Sequence, residues 1–156
     1  MNDIPDGDQN YSFPPSKILF ATDGSENAQR ASHVAIDLAK RYGSTIIILS
    51  VVPKPSTLVS APPEYYDYYE GIVQKWINEV TEDAQKHGVS AHGQIMRAQP
   101  SVPEAIVEVA ELERVDLIVM GRRGMTMLKG GFRRALAGSV SGAVVSHAHC
   151  NVLIVK

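Results

Sequence analysis

LIVMGRRGMTMLKGGFRRALAGSVS, residues 117–141, reads as a buried strand that runs into a glycine-rich basic loop and re-enters a helix at Ser139. Glycines let a backbone approach a ligand closely, loop N–H groups turn toward an anion, and a helix N-terminus adds partial positive charge. The loop carries Arg122, Arg123, Lys129, Arg133 and Arg134, and no Asp or Glu follows Asp116, although the chain's formal net charge is -2. The reading is an anion site; a solvated basic loop without a ligand is the alternative. The lack of nearby acids argues against an ordinary salt-bridged surface, which would carry both signs.

Working outward, strand and helix patterns alternate from Lys17 onward. KILFAT is a first strand, and Ala28, Ala31, Val34, Ala35, Leu38 and Tyr42 then mark one apolar helix face that Gly43 ends. STIIILSVV, from Ser44, is a β-branched run suited to burial on both sides. Tyr66, Tyr69, Val73, Trp76, Val80 and Ala84 keep helical spacing, with Tyr66 and Tyr69 inward and Tyr65 and Tyr68 left for exposed contacts. SAHGQIMR, PEAIVEVAEL, DLIVM, a helix from Ser139 carrying Val140, Val144 and Ala148, and VLIVK complete the series. The pattern predicts a single-domain α/β fold, an open five-stranded parallel sheet with helices on both faces. Ligands of such sheets lie beyond the carboxyl ends of the strands, where strand order reverses. Asp23, Val51–Val52 and Gly121 mark three such ends.

At 156 residues and 44% hydrophobic composition the chain has the size of one domain. A near-neutral balance with one basic loop argues against nucleic-acid or membrane-surface binding. Cys150 is the sole cysteine, and neither a signal peptide nor a membrane span is legible, so a cytoplasmic protein is expected. Residues 1–15 are polar and acidic and close on Pro14-Pro15, which predicts a mobile tail before a domain at 16–156. His147, His149 and Cys150 lack the spacing of a structural zinc site and read as helix-end histidines beside a thiol. Neither a Walker GK[ST] nor a G-x-S-x-G turn is present, and nothing nominates a catalytic base or a metal ligand set.

KILFATDGSENAQRAS, the following IILSVV, DLIVMGRRG, AGSVS and the terminal NVLIVK together resemble the universal stress protein family over Ser16 to Lys156. The resemblance implies a Rossmann-like fold of the adenine nucleotide alpha hydrolase type, ATP as ligand with Mg²⁺, a homodimer and a protein partner. ATP-binding members carry G-x2-G-x9-G-[S/T] after the fourth strand. Gly121 and Gly124 match its first pair and Gly138-Ser139 its last, but Met125–Ala137 makes the gap thirteen residues. The extra length falls around Gly130–Arg133, where a basic turn either closes over a triphosphate or occupies its place. Carried over by motif, the implied ATP site is Ala21, Thr22 and Asp23; Val51, whose backbone meets adenine; Met120, Gly121, Arg123 and Gly124; and Gly138, Ser139, Val140 and Ser141 around the phosphates.

Each of these residues also has a structural reading. Asp23 with Glu26 fits a D-x-x-E capping box, Ser139 fits a helix cap, and Val51 fits a strand core. Three functions remain open: an ATP-binding regulatory stress-response protein, a nucleotide-free dimeric interaction module, and a slow ATPase or α–β bond-cleaving enzyme. The apolar run Val152–Val155, with no internal charge, proline or glycine, predicts an edge strand that pairs with its own copy about a twofold axis.

Overall fold

The computed structural model describes residues 13–55, 60–122 and 139–156. Among them the elements are β1 Lys17–Ala21, α1 Glu26–Tyr42, β2 Thr45–Val52, α2 Pro63–Lys86, β3 Ala91–Arg97, α3 Val102–Leu112, β4 Leu117–Gly121, α4 Ser139–His147 and β5 Asn151–Val155. The strands form one sheet in the order β3-β2-β1-β4-β5, and every pairing is parallel. This is the α/β architecture that the alternating pattern predicts, with β5 at an edge.

Strands covered on both faces need apolar side chains at every position, and β1 and β2 supply them. Ile18, Leu19 and Phe20, and Ile46 to Leu49, are all fully buried. Alternation sends Ile18, Phe20, Ile46, Ile48 and Val119 to one face, against Ala31 and Ala35 of α1 and Ile77 of α2. Leu19, Ile47, Leu49, Ile118 and Met120 go to the other, against Ile106 and Val109 of α3 and Val144 of α4. Each such side chain contributes roughly 1.5–3 kcal/mol on burial, so the two sandwiched layers hold the fold together.

Local signals set the ends. Gly43 closes α1 in the left-handed conformation, φ 70°, where a side chain would be strained. At the amino end of the sheet the Asp116 carboxylate accepts from Ser16 N at 2.8 Å, Ser16 Oγ at 2.8 Å and Lys17 N at 2.9 Å, tying the entry of β1 to that of β4.

Several boundaries and faces differ from expectation. β1 ends at Ala21, although Thr22 N still donates to Leu49 O at 2.9 Å. β2 starts at Thr45, because Ser44 is buried and its hydroxyl donates to Pro15 O at 2.6 Å. Tyr66 and Tyr69 are half-buried rather than core, and Tyr65 is half-buried rather than exposed; of the four tyrosines of α2 only Tyr68 stands out in solvent. The reason is that α2 buries Val73, Ile77 and Ala84, whereas its tyrosine-rich first turns pack on one another and under Arg97. The Tyr65 hydroxyl donates to Pro53 O at 2.9 Å. Among the described residues no helix is long and apolar enough to cross a membrane.

Candidate functional site

Strand order reverses at β1, which has β2 on one side and β4 on the other. Ala21 is level with Leu49 and with Met120, so the carboxyl ends of the three strands lie side by side at the point where sheets of this kind take their ligands. Ala21 and Met120 are buried, and the half-buried Val51 and Val140 pack against the same apolar cluster, on the α3 and α4 side. Four of the predicted site residues therefore form one apolar wall. Ser141 joins them from the first turn of α4, where its hydroxyl donates to Arg122 O at 3.3 Å and ties the helix to the end of β4.

The turn from Thr22 to Ser25 is the polar wall. The buried Ser50 hydroxyl donates to Thr22 O at 3.0 Å, and Thr22 Oγ1 accepts from Gly24 N at 3.2 Å. A hydroxyl that accepts still carries one O–H to donate. Asp23 Oδ1 accepts from Ser25 N at 3.0 Å, and Ser25 Oγ accepts from Ala28 N at 3.2 Å. The capping-box reading of Asp23 is thus corrected: Ser25 is the N-cap of α1. Gly24 lies between them with φ 75°, so the chain turns before the helix starts, and the Asp23 carboxylate reaches the N–H two residues on. Gly121 is required by space, since a Cβ there would lie 2.8 Å from the Asn27 carbonyl carbon.

The structure therefore brings together Ala21, Thr22, Asp23, Val51, Met120, Gly121, Val140 and Ser141. Arg123, Gly124 and Gly138, the side chain of Ser139, and the turn Gly130–Arg133 lie outside the described residues. Arg122 lies within them; it is exposed, and its N–H donates to Val155 O at 2.9 Å. His147 Nδ1 lies 2.9 Å from Ala143 O at the end of α4, and burial pushes the Cys150 thiol up to about 11. Among the described residues no group of three His, Cys, Asp or Glu is arranged to hold a metal ion.

Sequence reasoning passed over Ser25, Ser50, Asn27 and the contact between Trp76 and Gly24. A signal existed for Ser50, a polar residue inside an otherwise apolar buried run, which must find a partner. Asn27 and Trp76 act through shape across elements, and no local pattern announces that.

A family model described as the universal stress protein family matches residues 15–156. A universal stress protein of Methanocaldococcus jannaschii is 35% identical over 145 residues, covering 90% of this chain and 81% of the relative. Among solved structures, the universal stress protein UspA from Lactobacillus plantarum superposes with a TM-score of 0.77 at 23% identity, covering 90% of this chain and 97% of that one. A universal stress protein from Archaeoglobus fulgidus in complex with dAMP gives 0.67 at 21% identity, with 90% and 97% covered. A universal stress protein in complex with cAMP gives 0.69 at 23% identity, with 91% of this chain and 97% of that one covered.

Proposed function

Because the chain belongs to the universal stress protein family, we propose that it binds an adenine nucleotide, ATP with Mg²⁺, in the crevice beyond β1, β2 and β4, as a nucleotide-dependent regulatory protein of the stress response. One observation carries this reading: an apolar wall of Ala21, Met120, Val51 and Val140 meets the polar turn Thr22–Ser25 where strand order reverses. The dAMP and cAMP complexes of two family members support an adenine ligand.

The residues present suit that ligand by the chemistry of their donors. Apolar strand ends offer a face for the adenine ring, with the Val51 backbone at its edge. The Thr22 hydroxyl and the Asp23 carboxylate suit ribose hydroxyls, or a Mg²⁺ ion held through water. Gly121 and Gly124 allow backbone N–H groups to approach phosphate, Gly138, Ser139 and Ser141 bring it to the start of α4, and Arg123 adds charge. In this reading nucleotide occupancy changes affinity for a protein partner. The working unit in this reading is residues 16–156 after a tail at 1–15, in a cytoplasmic homodimer joined through β5. It is assigned binding and no catalytic residue.

Calorimetric titration with ATP, ADP and AMP, each with and without Mg²⁺, tests it. The parent is expected to bind and Gly124→Val to lose binding, because a branched side chain blocks the close approach of the loop. Asp23→Asn is expected to lose about 1–3 kcal/mol of affinity, the scale of a charge-assisted hydrogen bond. A Gly124→Val protein that binds as tightly as the parent removes the site.

A further inference from the structure

Trp76 lies on α2, outside the crevice, yet its indole covers the backbone of Gly24 in the polar turn. A Cβ built on Gly24 would lie 2.2 Å from Trp76 Cε2, 2.5 Å from Cδ2 and 2.6 Å from Cζ2. The ring is therefore seated on the α-carbon itself, at the fused bond and the six-membered ring, with no side chain between. Gly24 stands in the left-handed region, φ 75°, and without a side chain it is the conformationally freest point of the turn. On one side of it Thr22 is fastened to β2 through Leu49 O and Ser50 Oγ, and on the other Ser25 is fastened to α1 as its cap. Among the described residues Gly24 itself is held by a hydrogen bond of 3.2 Å to Thr22 Oγ1 and by the indole.

We infer that Trp76 is a positioning residue for the nucleotide site, a clamp that fixes the Asp23 carboxylate and the Thr22 hydroxyl by pinning the glycine beside them. The inference rests on the adenine-nucleotide reading of the crevice. Asp23 Oδ1 is bonded to Ser25 N, so the carboxylate and its backbone partner lie on either side of Gly24. Movement of Gly24 displaces both together. The Trp76 side chain thus connects the helix that follows β2 to the turn that follows β1.

Two measurements on Trp76→Leu, Trp76→Phe and the parent test it. The first is amide hydrogen exchange at Gly24 and Ser25 without nucleotide. Trp76→Leu is expected to exchange there faster than the parent, and Trp76→Phe, which keeps a six-membered ring over the glycine, to stay near it. The second is ATP titration of a double-mutant cycle with Asp23→Asn. Trp76→Leu is expected to weaken binding about tenfold alone and about twofold or less when Asp23 is already Asn, since residues acting through one another are not additive. Should Trp76→Leu fail to fold, Trp76→Met takes its place in both measurements. Unchanged exchange in the truncated variant overturns the clamp, and so does an equal loss of affinity in both Asp23 backgrounds. A parent that binds no adenine nucleotide overturns the function reading instead, and the exchange measurement still decides whether the clamp exists.

Discussion

The two edges of the sheet are built to opposite specifications. β3 reads AHGQIMR, with a glycine at its third position and a cation at its end, and α2 lies so close over it that a Cβ at Gly93 would meet Ile77 Cγ2 at 2.1 Å. At its carboxyl end Arg97 pairs with Glu70 of α2 at 2.8 Å and stacks on Tyr66. β5 reads NVLIV, with Val152 and Ile154 packed toward one cluster, Val155 toward the other and Leu153 38% exposed. Soluble proteins blunt an edge with charge, irregularity or a covering helix, or else they pair it. β3 has the first kind of treatment, and β5 has the composition of a strand meant for the second.

The sharpest way to break the contrast is Ile154→Pro. It removes one N–H and clashes with regular pairing, so it is expected to convert a dimer into monomer or to lower stability severely. Light scattering during size-exclusion chromatography gives the mass, and Tyr68→Lys, at an exposed position on α2, is expected to leave it unchanged. A parent that is a stable monomer at micromolar concentration defeats the pairing of β5. The next effect in size belongs to the other edge. Gly93→Ala drives a methyl into the buried Ile77 and is expected to cost about 1–3 kcal/mol in denaturant unfolding while the oligomeric mass stays the same. A neutral result would mean that α2 is not seated on β3 as described.

The smallest effect concerns the approach to β5. Burial holds the Cys150 thiol up to about 11, whereas an unfolded chain releases that proton near about 8.5. The folded state therefore binds more protons across that interval, and stability falls as pH rises through it. Relative to Cys150→Ala, the parent is expected to lose stability between about pH 9 and about pH 11, and its thiol to be alkylated slowly at neutral pH. Identical pH profiles for the two proteins would refute the raised pKa.

Most of the fold is legible in the sequence because its determinants are one-dimensional. The β-branched run at 45–52, the apolar run at 117–120, the three- and four-residue steps of α1 and the left-handed glycine at Gly43 are each readable from a few neighbouring residues. The positions of Ala21, Val51, Met120 and Gly121 at strand ends follow from the same runs. The capping of α1 is not legible, because Asp23 and Glu26 match a local spacing while the chain turns at Gly24 and hands the cap to Ser25. The burial of the α2 tyrosines is hidden for a related reason. Helical spacing says which side chains share a face, not where along the helix the sheet beneath begins. The clamp on Gly24 and the tie from Asp116 to Ser16 join residues far apart in the chain, and only the folded arrangement reveals them.

The tie at Asp116 has a bearing on how the protein is made. β1 is the central strand, and one of its neighbours, β2, follows it within a few dozen residues; the other, β4, is anchored to it by bonds that span 100 and 99 residues. During synthesis the segment through α3 can assemble β1, β2 and β3 with their helices, yet one side of the innermost strand stays open until Leu117–Gly121 leaves the ribosome. Such distant pairing is slow and leaves an apolar border exposed to other nascent chains. Chaperone capture should be high while β1 to β3 have left the ribosome without β4, and fall once Leu117–Gly121 has emerged.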